Sequence, residues 1–132
     1  MICIVDDDPD IILLFHDALK SISGITIFTF TDPILALEHF QVNEYAYVLV
    51  LSDFKMPGLN GMEFLKKIKE LNRFVRTILM TAFQIEDKVF REYTKEKIIN
   101  AFLQKPIGIH DFLKEVNTQL HSYEMQKKFP SD

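Results

Sequence analysis

Short apolar runs alternate along the chain with segments of helical periodicity. The apolar runs are rich in β-branched and aromatic residues and are predicted to be strands. Five such runs follow one another, at residues 2–5, 24–30, 45–53, 76–82 and 98–106. After each run, apolar residues recur every three or four positions, which is typical of an amphipathic helix; this pattern is weakest in the fourth helix, at Val89, Phe90 and Tyr93. The pattern therefore predicts five strand–helix pairs.

This alternation favours one fold class. Strands that alternate with helices form parallel sheets, and strands that read as unbroken apolar runs are covered on both faces. We therefore predict an α/β fold, a single doubly wound (βα)5 domain with helices on both faces of a five-stranded parallel sheet.

Length and composition fit such a domain and exclude several classes. The chain has 132 residues and a net charge of −4, which gives no reason to expect nucleic acid or an anionic membrane as a direct partner. Its apolar runs are too short to span a bilayer, and its beginning does not resemble a secretion signal, so we expect a cytoplasmic protein. Cys3 is the only cysteine, so neither an internal disulfide nor a cysteine metal site is expected.

Polar residues stand where the predicted strands end. Asp6, Asp7 and Asp8 follow the first strand, and the third, fourth and fifth strands end near Asp53, Thr81 and Lys105 respectively. Ligands of open α/β sheets bind beyond the carboxyl ends of the strands, so we expect these side chains to share one rim.

The carboxylates at this rim predict a cation site. Asp8 precedes Pro9 at a predicted helix start, so it is expected to cap that helix. Asp32 precedes Pro33 and is expected to cap the second helix in the same way. Asp6, Asp7 and Asp53 would repel one another without a counter-charge, which Mg²⁺ (or Mn²⁺) and Lys105 would provide. A cation, a lysine and the Thr81 hydroxyl together suit a phosphoryl group, and an ionised aspartate is a nucleophile for phosphorus.

The same residues form a recognisable set of motifs. "IVDDDP" lies at 4–9, "LSDFKMPGLNG" at 51–61, "MTA" at 80–82 and "QKP" at 104–106. With these motifs, the chain resembles the receiver domain of two-component response regulators over nearly its whole length. The resemblance implies a flavodoxin-like sheet with strand order 2-1-3-4-5, and we expect the domain at residues 1–125 and a tail or linker at 126–132.

The resemblance also implies a role for each matching residue. Asp53 matches the phosphoacceptor, Asp7 the direct metal ligand and Asp6 the residue that holds the metal largely through water. The backbone carbonyl of Lys55 matches a further metal ligand. Thr81 matches the switch hydroxyl and Phe102 the switch aromatic. Lys105 matches the lysine that pairs with the phosphoryl group. The peptide bond that corresponds to Lys105–Pro106 is usually cis in the family. Phe102 is equally explained as a core residue.

The implied function is signalling. A histidine kinase or a histidine phosphotransfer protein would donate a phosphoryl group to Asp53, and the resulting aspartyl phosphate would alter the surface formed by helix four, strand five and helix five. Such a domain is not an enzyme beyond its own phosphorylation and dephosphorylation, and it would act through an output domain or an effector protein.

Several expectations stay open at this point. The Lys55 side chain is expected to alter the lifetime of the phosphorylated form. Residues 83–100 lack the glycine–alanine turn usual before the fifth strand, so the fourth helix is expected to be unusual. Asp6 and Asp8 also fit a haloacid-dehalogenase-like phosphatase, and a receiver-shaped scaffold that is never phosphorylated is a third possibility.

Overall fold

A computed structural model describes residues 1–82 and 87–129 of the chain. Within these two ranges, five strands and five helices alternate. The strands are β1 (Ile2–Val5), β2 (Ile27–Phe30), β3 (Leu49–Asp53), β4 (Arg76–Thr81) and β5 (Ala101–Gln104). The helices are α1 (Pro9–Leu19), α2 (Pro33–Val42), α3 (Gly61–Leu71), α4 (Asp87–Lys95) and α5 (Ile109–Lys128).

The sheet is parallel throughout, and its strand order is β2-β1-β3-β4-β5, so the predicted fold class and order are confirmed. The register pairs Val5 of β1 with Ser52 of β3, and Asp53 of β3 with Met80 of β4. The strand order reverses at β1, whose neighbours are β2 and β3. The carboxyl ends of β1 and β3 therefore lie side by side at the reversal.

Side chains on each strand alternate between two cores. On one face Cys3, Val5 and Val50 pack against α2 and α3, through residues such as Phe40 and Phe64. On the other face, Ile2, Ile4, Leu49 and Leu51 pack against α1 and α5, where Phe15 stacks on Phe112 with ring centroids 4.2 Å apart. Both faces of the central strands are buried, which explains why their sequences read as unbroken apolar runs.

Three strands begin later than the pattern predicts, and one of them is β5, which begins at Ala101 rather than at residue 98. β2 begins at Ile27 rather than at residue 24, because Gly24 has a positive φ of 79° and belongs to the preceding turn. β3 begins at Leu49 rather than at residue 45, because its register pairs Leu49 with Ile2, the first residue of β1. Val48 still bonds to the carbonyl oxygen of Met1 and to the amide of Arg76, whereas Tyr45, at the start of the predicted run, is 79% exposed.

The predicted helix starts are confirmed. The Asp8 carboxylate accepts a hydrogen bond of 2.9 Å from the Asp10 amide, and Asp32 caps α2 in the same way through the amide of Ile34. Pro9 and Pro33 are the first residues of these helices.

Some predictions lie at the limits of the described chain. α4 is present, but the side chains of Val89, Phe90 and Tyr93 and the segment 83–86 lie outside the described residues. α5 continues to Lys128, three residues beyond the predicted domain boundary, which itself stays a prediction. In the described part of the chain, no helix has the length and apolarity needed to cross a bilayer.

Candidate phosphoryl-acceptor site

Three carboxylates meet at the carboxyl ends of β1 and β3. Asp6 and Asp7 follow β1, Asp53 ends β3, and each of the three offers an oxygen within 4.8 Å of the others. Asp6 is fully buried, Asp53 is 7% exposed and Asp7 is exposed. The expected acidic cluster therefore exists, with its open side at Asp7.

Lys105 joins two of these carboxylates from the end of β5. Its Nζ atom lies 3.0 Å from Oδ2 of Asp6 and 3.1 Å from Oδ1 of Asp53. The Lys105–Pro106 peptide bond is cis, as the resemblance implied. A backbone hydrogen bond fixes the position of Lys105 beside β4, because the Lys105 amide donates to the carbonyl oxygen of Thr81 at 2.7 Å.

The charged groups at this rim perturb one another. Burial raises the pKa of the Asp53 carboxyl group above its ordinary value, and the neighbouring Asp6 raises it further. Burial likewise raises the pKa of Asp6, although the Asp8 amide and Lys105 oppose that shift. For Lys105, burial alone would lower the pKa, but its bonds to Asp6 and Asp53 outweigh burial and raise it. One ammonium group therefore does not fully compensate the carboxylates.

The donor set fits a hard divalent cation. Mg²⁺ prefers oxygen ligands and is usually held by one or two carboxylates together with waters and phosphate oxygens. The cluster provides carboxylate oxygens within 4.8 Å of one another, and burial, which raises the pKa of Asp6 and of Asp53, disfavours the charged carboxylates that a bound cation would stabilise. The exposed carboxylate of Asp7 is the one that solvent reaches most directly.

The remaining predicted residues take different positions around the cluster. Thr81 is the last residue of β4 and is 3% exposed. Lys55 is exposed in the loop after β3, two residues beyond Asp53. Phe102 is partly buried in β5 and packs against the core on the α2–α3 face. The position of Phe102 agrees with its interpretation as a core residue and leaves a switching role as a prediction.

Gly61, the first residue of α3, allows the loop between β3 and α3 to pass close to Asp53. A Cβ atom at Gly61 would overlap the carbonyl oxygen of Asp53 and lie 2.8 Å from Cδ1 of Leu79. The Gly61 amide also donates a 2.7 Å hydrogen bond to the Phe54 carbonyl oxygen. The glycine at position 61 therefore allows α3 to begin directly against Asp53.

Sequence reasoning missed two polar contacts near Asp53. The Ser52 hydroxyl donates a 2.9 Å hydrogen bond to the Asp53 carbonyl oxygen. Asn60 caps α3 by accepting from the Glu63 amide, and its own amide group donates to the Glu63 side chain. The Asn-x-x-Glu spacing signals this cap, whereas nothing in the pattern indicates the Ser52 contact.

Comparisons with known proteins agree with this geometry. The family model described as the response regulator receiver domain matches residues 2–117. The chain is 31% identical over 119 residues to sporulation initiation phosphotransferase F of Bacillus subtilis, covering 90% of this chain and 92% of that protein. It is 29% identical to the DNA-binding transcriptional regulator NtrC of Escherichia coli, covering 97% of this chain but only 26% of NtrC.

Solved structures show the same architecture. The chain resembles a response regulator receiver domain protein from Clostridium thermocellum with a TM-score of 0.83 and 26% sequence identity. The similarity covers 94% of this chain and 96% of that one.

Proposed function

The chain belongs to the response regulator receiver domain family, the phosphoacceptor domains of two-component signalling, and we propose that Asp53 is its phosphoacceptor. The observation that carries the proposal is the contact of Lys105 Nζ with the carboxylates of both Asp6 and Asp53, beside Asp7. A lysine held between two acids at a strand-end rim suits the binding of a phosphoryl group.

In the proposed reaction, an oxygen of the Asp53 carboxylate attacks the phosphorus of a phosphohistidine. The new oxygen–phosphorus bond forms as the nitrogen–phosphorus bond breaks, and the histidine leaves with the electron pair. Lys105 pairs with the phosphoryl oxygens, and the Thr81 hydroxyl donates a hydrogen bond to one of them. Asp6, Asp7 and the Lys55 carbonyl would hold Mg²⁺, which when bound neutralises charge on the phosphoryl oxygens.

We propose that the consequences are conformational rather than enzymatic. An aspartyl phosphate adds charge and strong acceptor oxygens beside Thr81, at the end of β4. A shift of Thr81 towards the phosphoryl group would free space for Phe102, one strand away, and so alter the α4–β5–α5 surface. Apart from its own phosphorylation and dephosphorylation, the domain would catalyse no reaction.

The proposed partners follow from the chemistry. The donor would be a cytoplasmic histidine kinase or histidine phosphotransfer protein, and an effector protein or output domain would read the altered surface. The chain spans 26% of the length of NtrC but 92% of sporulation initiation phosphotransferase F. Similarity therefore supports both a receiver domain attached to an output domain and one that acts on a separate effector protein.

The test is phosphorylation by acetyl phosphate with Mg²⁺, followed by phosphate-affinity electrophoresis. We expect a shifted band that depends on Mg²⁺ and is absent from Asp53→Asn.

A haloacid-dehalogenase-like phosphatase would instead hydrolyse phosphoesters in Asp53→Asn and lose that activity in Asp6→Asn. The cap formed by Asp8 disfavours that alternative, because its carboxylate already binds the Asp10 amide. A chain that is never shifted would be a scaffold.

A second prediction concerns Lys55. Its exposed side chain lies in the loop after the acceptor, where it would restrict the approach of the water that hydrolyses the aspartyl phosphate. Lys55→Ala is therefore expected to change the first-order rate of dephosphorylation severalfold, measured by loss of ³²P label. Lys66→Ala, at an exposed position of α3, is the matched control. An unchanged rate in Lys55→Ala would remove this role.

A further inference from the structure

A second polar site lies at the opposite edge of the sheet. A groove of about 680 Å³ opens where α3 ends, where β4 and β5 begin and where α5 ends. Its lining includes the exposed cations Lys66, Arg73 and Lys97 and the half-buried Lys69. Glu70 and Glu96 also line it, so cations outnumber acids there by four to two, in a chain whose net charge is −4.

Lys69 is held at the wall of this groove by two neutral acceptors. Its Nζ atom donates to the Val75 carbonyl oxygen at 2.6 Å and to the side-chain oxygen of Asn100 at 2.9 Å. No ion pair joins Lys69 to a carboxylate among residues 1–82 and 87–129. An uncharged amine has two N–H groups, so these two acceptors satisfy it completely and its lone pair is left over.

The electrostatic surroundings favour that uncharged form. Burial, and secondly the nearby Arg76 guanidinium, lower the pKa of the Lys69 amine to about 8. The charged groups that face it from the surrounding elements are Arg76 of β4, Lys66 and Glu70 of α3, Arg73 of the loop after α3, and Glu96 and Lys97 of the segment between α4 and β5. At pH 8 about half of such amines are uncharged, against under 1% for an ordinary lysine of pKa about 10.4.

We propose that Lys69 is a site of N-acylation, and that the cations of this groove hold the phosphate of an acyl phosphate donor while the amine reacts. A groove of this volume accommodates a small ligand. Lys66, Arg73 and Lys97 supply positive charge around it, as the anionic phosphate of the donor requires.

The reaction balances without a further reagent. The Lys69 amine attacks the acyl carbon, a carbon–nitrogen bond forms, and the carbon–oxygen bond to the phosphate breaks. Inorganic phosphate leaves with the electron pair, and the proton lost from nitrogen passes to solvent.

The product would disturb the fold locally. An amide nitrogen keeps one N–H, so either Val75 or Asn100 loses its donor. The side-chain oxygen of Asn100 also accepts from the Thr77 backbone amide at 2.9 Å, and the Asn100 backbone amide donates to the Thr77 hydroxyl at 3.2 Å. Acylation is therefore expected to weaken the attachment of α3 to the beginnings of β4 and β5.

The experiment is acetylation of the whole chain with acetyl phosphate at pH 8, with EDTA present to suppress reaction at Asp53. Unreacted amines are then capped with deuterated acetic anhydride, and occupancy at each lysine is measured by mass spectrometry. We expect the initial rate at Lys69 to be about tenfold that at its exposed neighbours Lys66 and Lys67. The rate at Lys69 should level off above pH 8.5, whereas theirs should keep rising to pH 10.

Two controls distinguish the reactivity of the Lys69 amine from the contribution of the groove cations. Arg73→Gln and competing inorganic phosphate should slow Lys69 acetylation by acetyl phosphate but not by uncharged p-nitrophenyl acetate. Equal effects on both donors would overturn the role of the cations. Rates at Lys69 no higher than at Lys66 and Lys67 with either donor would overturn the proposal, whatever the result at Asp53.

Discussion

At the scale of single residues, Gly61 is the position where one added carbon should most directly disturb the acceptor site. A Cβ atom there would overlap the Asp53 carbonyl oxygen, so Gly61→Ala forces the β3–α3 loop to move. We expect a loss of about 2 kcal/mol in the free energy of unfolding, as for other overpacked sites. We also expect slower phosphorylation by acetyl phosphate, because Asp53 itself is displaced.

Gly108 provides the control for this substitution. It is the N-cap residue of α5, and nothing lies within 4 Å of a Cβ atom added to it. Gly108→Ser should leave stability unchanged or raise it, since serine is a good N-cap. If Gly61→Ala behaved like Gly108→Ser in chemical denaturation, the close approach at Asp53 would not constrain the loop.

At the scale of an element, α1 is the helix that begins at the acidic rim and still exposes apolar side chains. Leu13 is 61% exposed and Leu14 is 47% exposed, one turn after Pro9. In the proposed function, a protein that brings a phosphohistidine to Asp53 would contact the surface around that rim. Leu14→Asp is therefore expected to slow transfer from a phosphorylated donor protein at least tenfold, because it places a charge in an apolar contact.

The specificity of this effect is measurable. Phosphorylation of Leu14→Asp by acetyl phosphate should proceed at the wild-type rate, because a small donor needs no protein contact. Val42→Asp, at an 84% exposed position at the end of α2, is the matched control and should leave both reactions unchanged. Equal losses with both donors would mean that Leu14 supports the fold rather than partner binding.

At the scale of the whole molecule, the acidic cluster links stability to pH and to Mg²⁺. The pKa values of Asp6 and Asp53 are raised in the folded protein, chiefly by burial, so the folded form holds these protons more tightly than the unfolded chain. Their contribution to stability is therefore full below the ordinary carboxyl pKa of about 3.9 and is lost as pH rises through the raised values. At pH 7 without metal, both groups reduce stability.

This linkage predicts a stabilising substitution. In EDTA at pH 7, Asp53→Asn should raise Tm by a few degrees, because it removes a buried carboxylate while Lys105 keeps its partner Asp6. Millimolar Mg²⁺ should raise Tm of the wild type more than that of Asp53→Asn. Thermal unfolding followed by circular dichroism measures both effects. A lower Tm for Asp53→Asn in EDTA would contradict the raised pKa of Asp53.

Most of the architecture could be predicted from local pattern, because each strand and helix carries its own periodicity and caps. Asp8 and Asp32 marked two helix starts correctly, since a cap is a contact within three residues. The starts of β2 and β3 could not be predicted as well, because a strand begins where a neighbouring strand can pair with it. The half-buried ring of His39 lies among Phe28, Phe30 and Tyr47, an environment that no local pattern around this residue indicates.

By itself, the sequence determined the fold class, the family and the set of polar residues at the strand ends, because those depend on periodicity and on short motifs. Only the tertiary structure decided that Lys105 bridges Asp6 and Asp53, since these residues are far apart in the sequence and meet only when the sheet forms. It also decided which lysine is unusual. Lys69 is one of several lysines in a helical pattern, and packing alone surrounds it with two neutral acceptors and no carboxylate partner among the described residues.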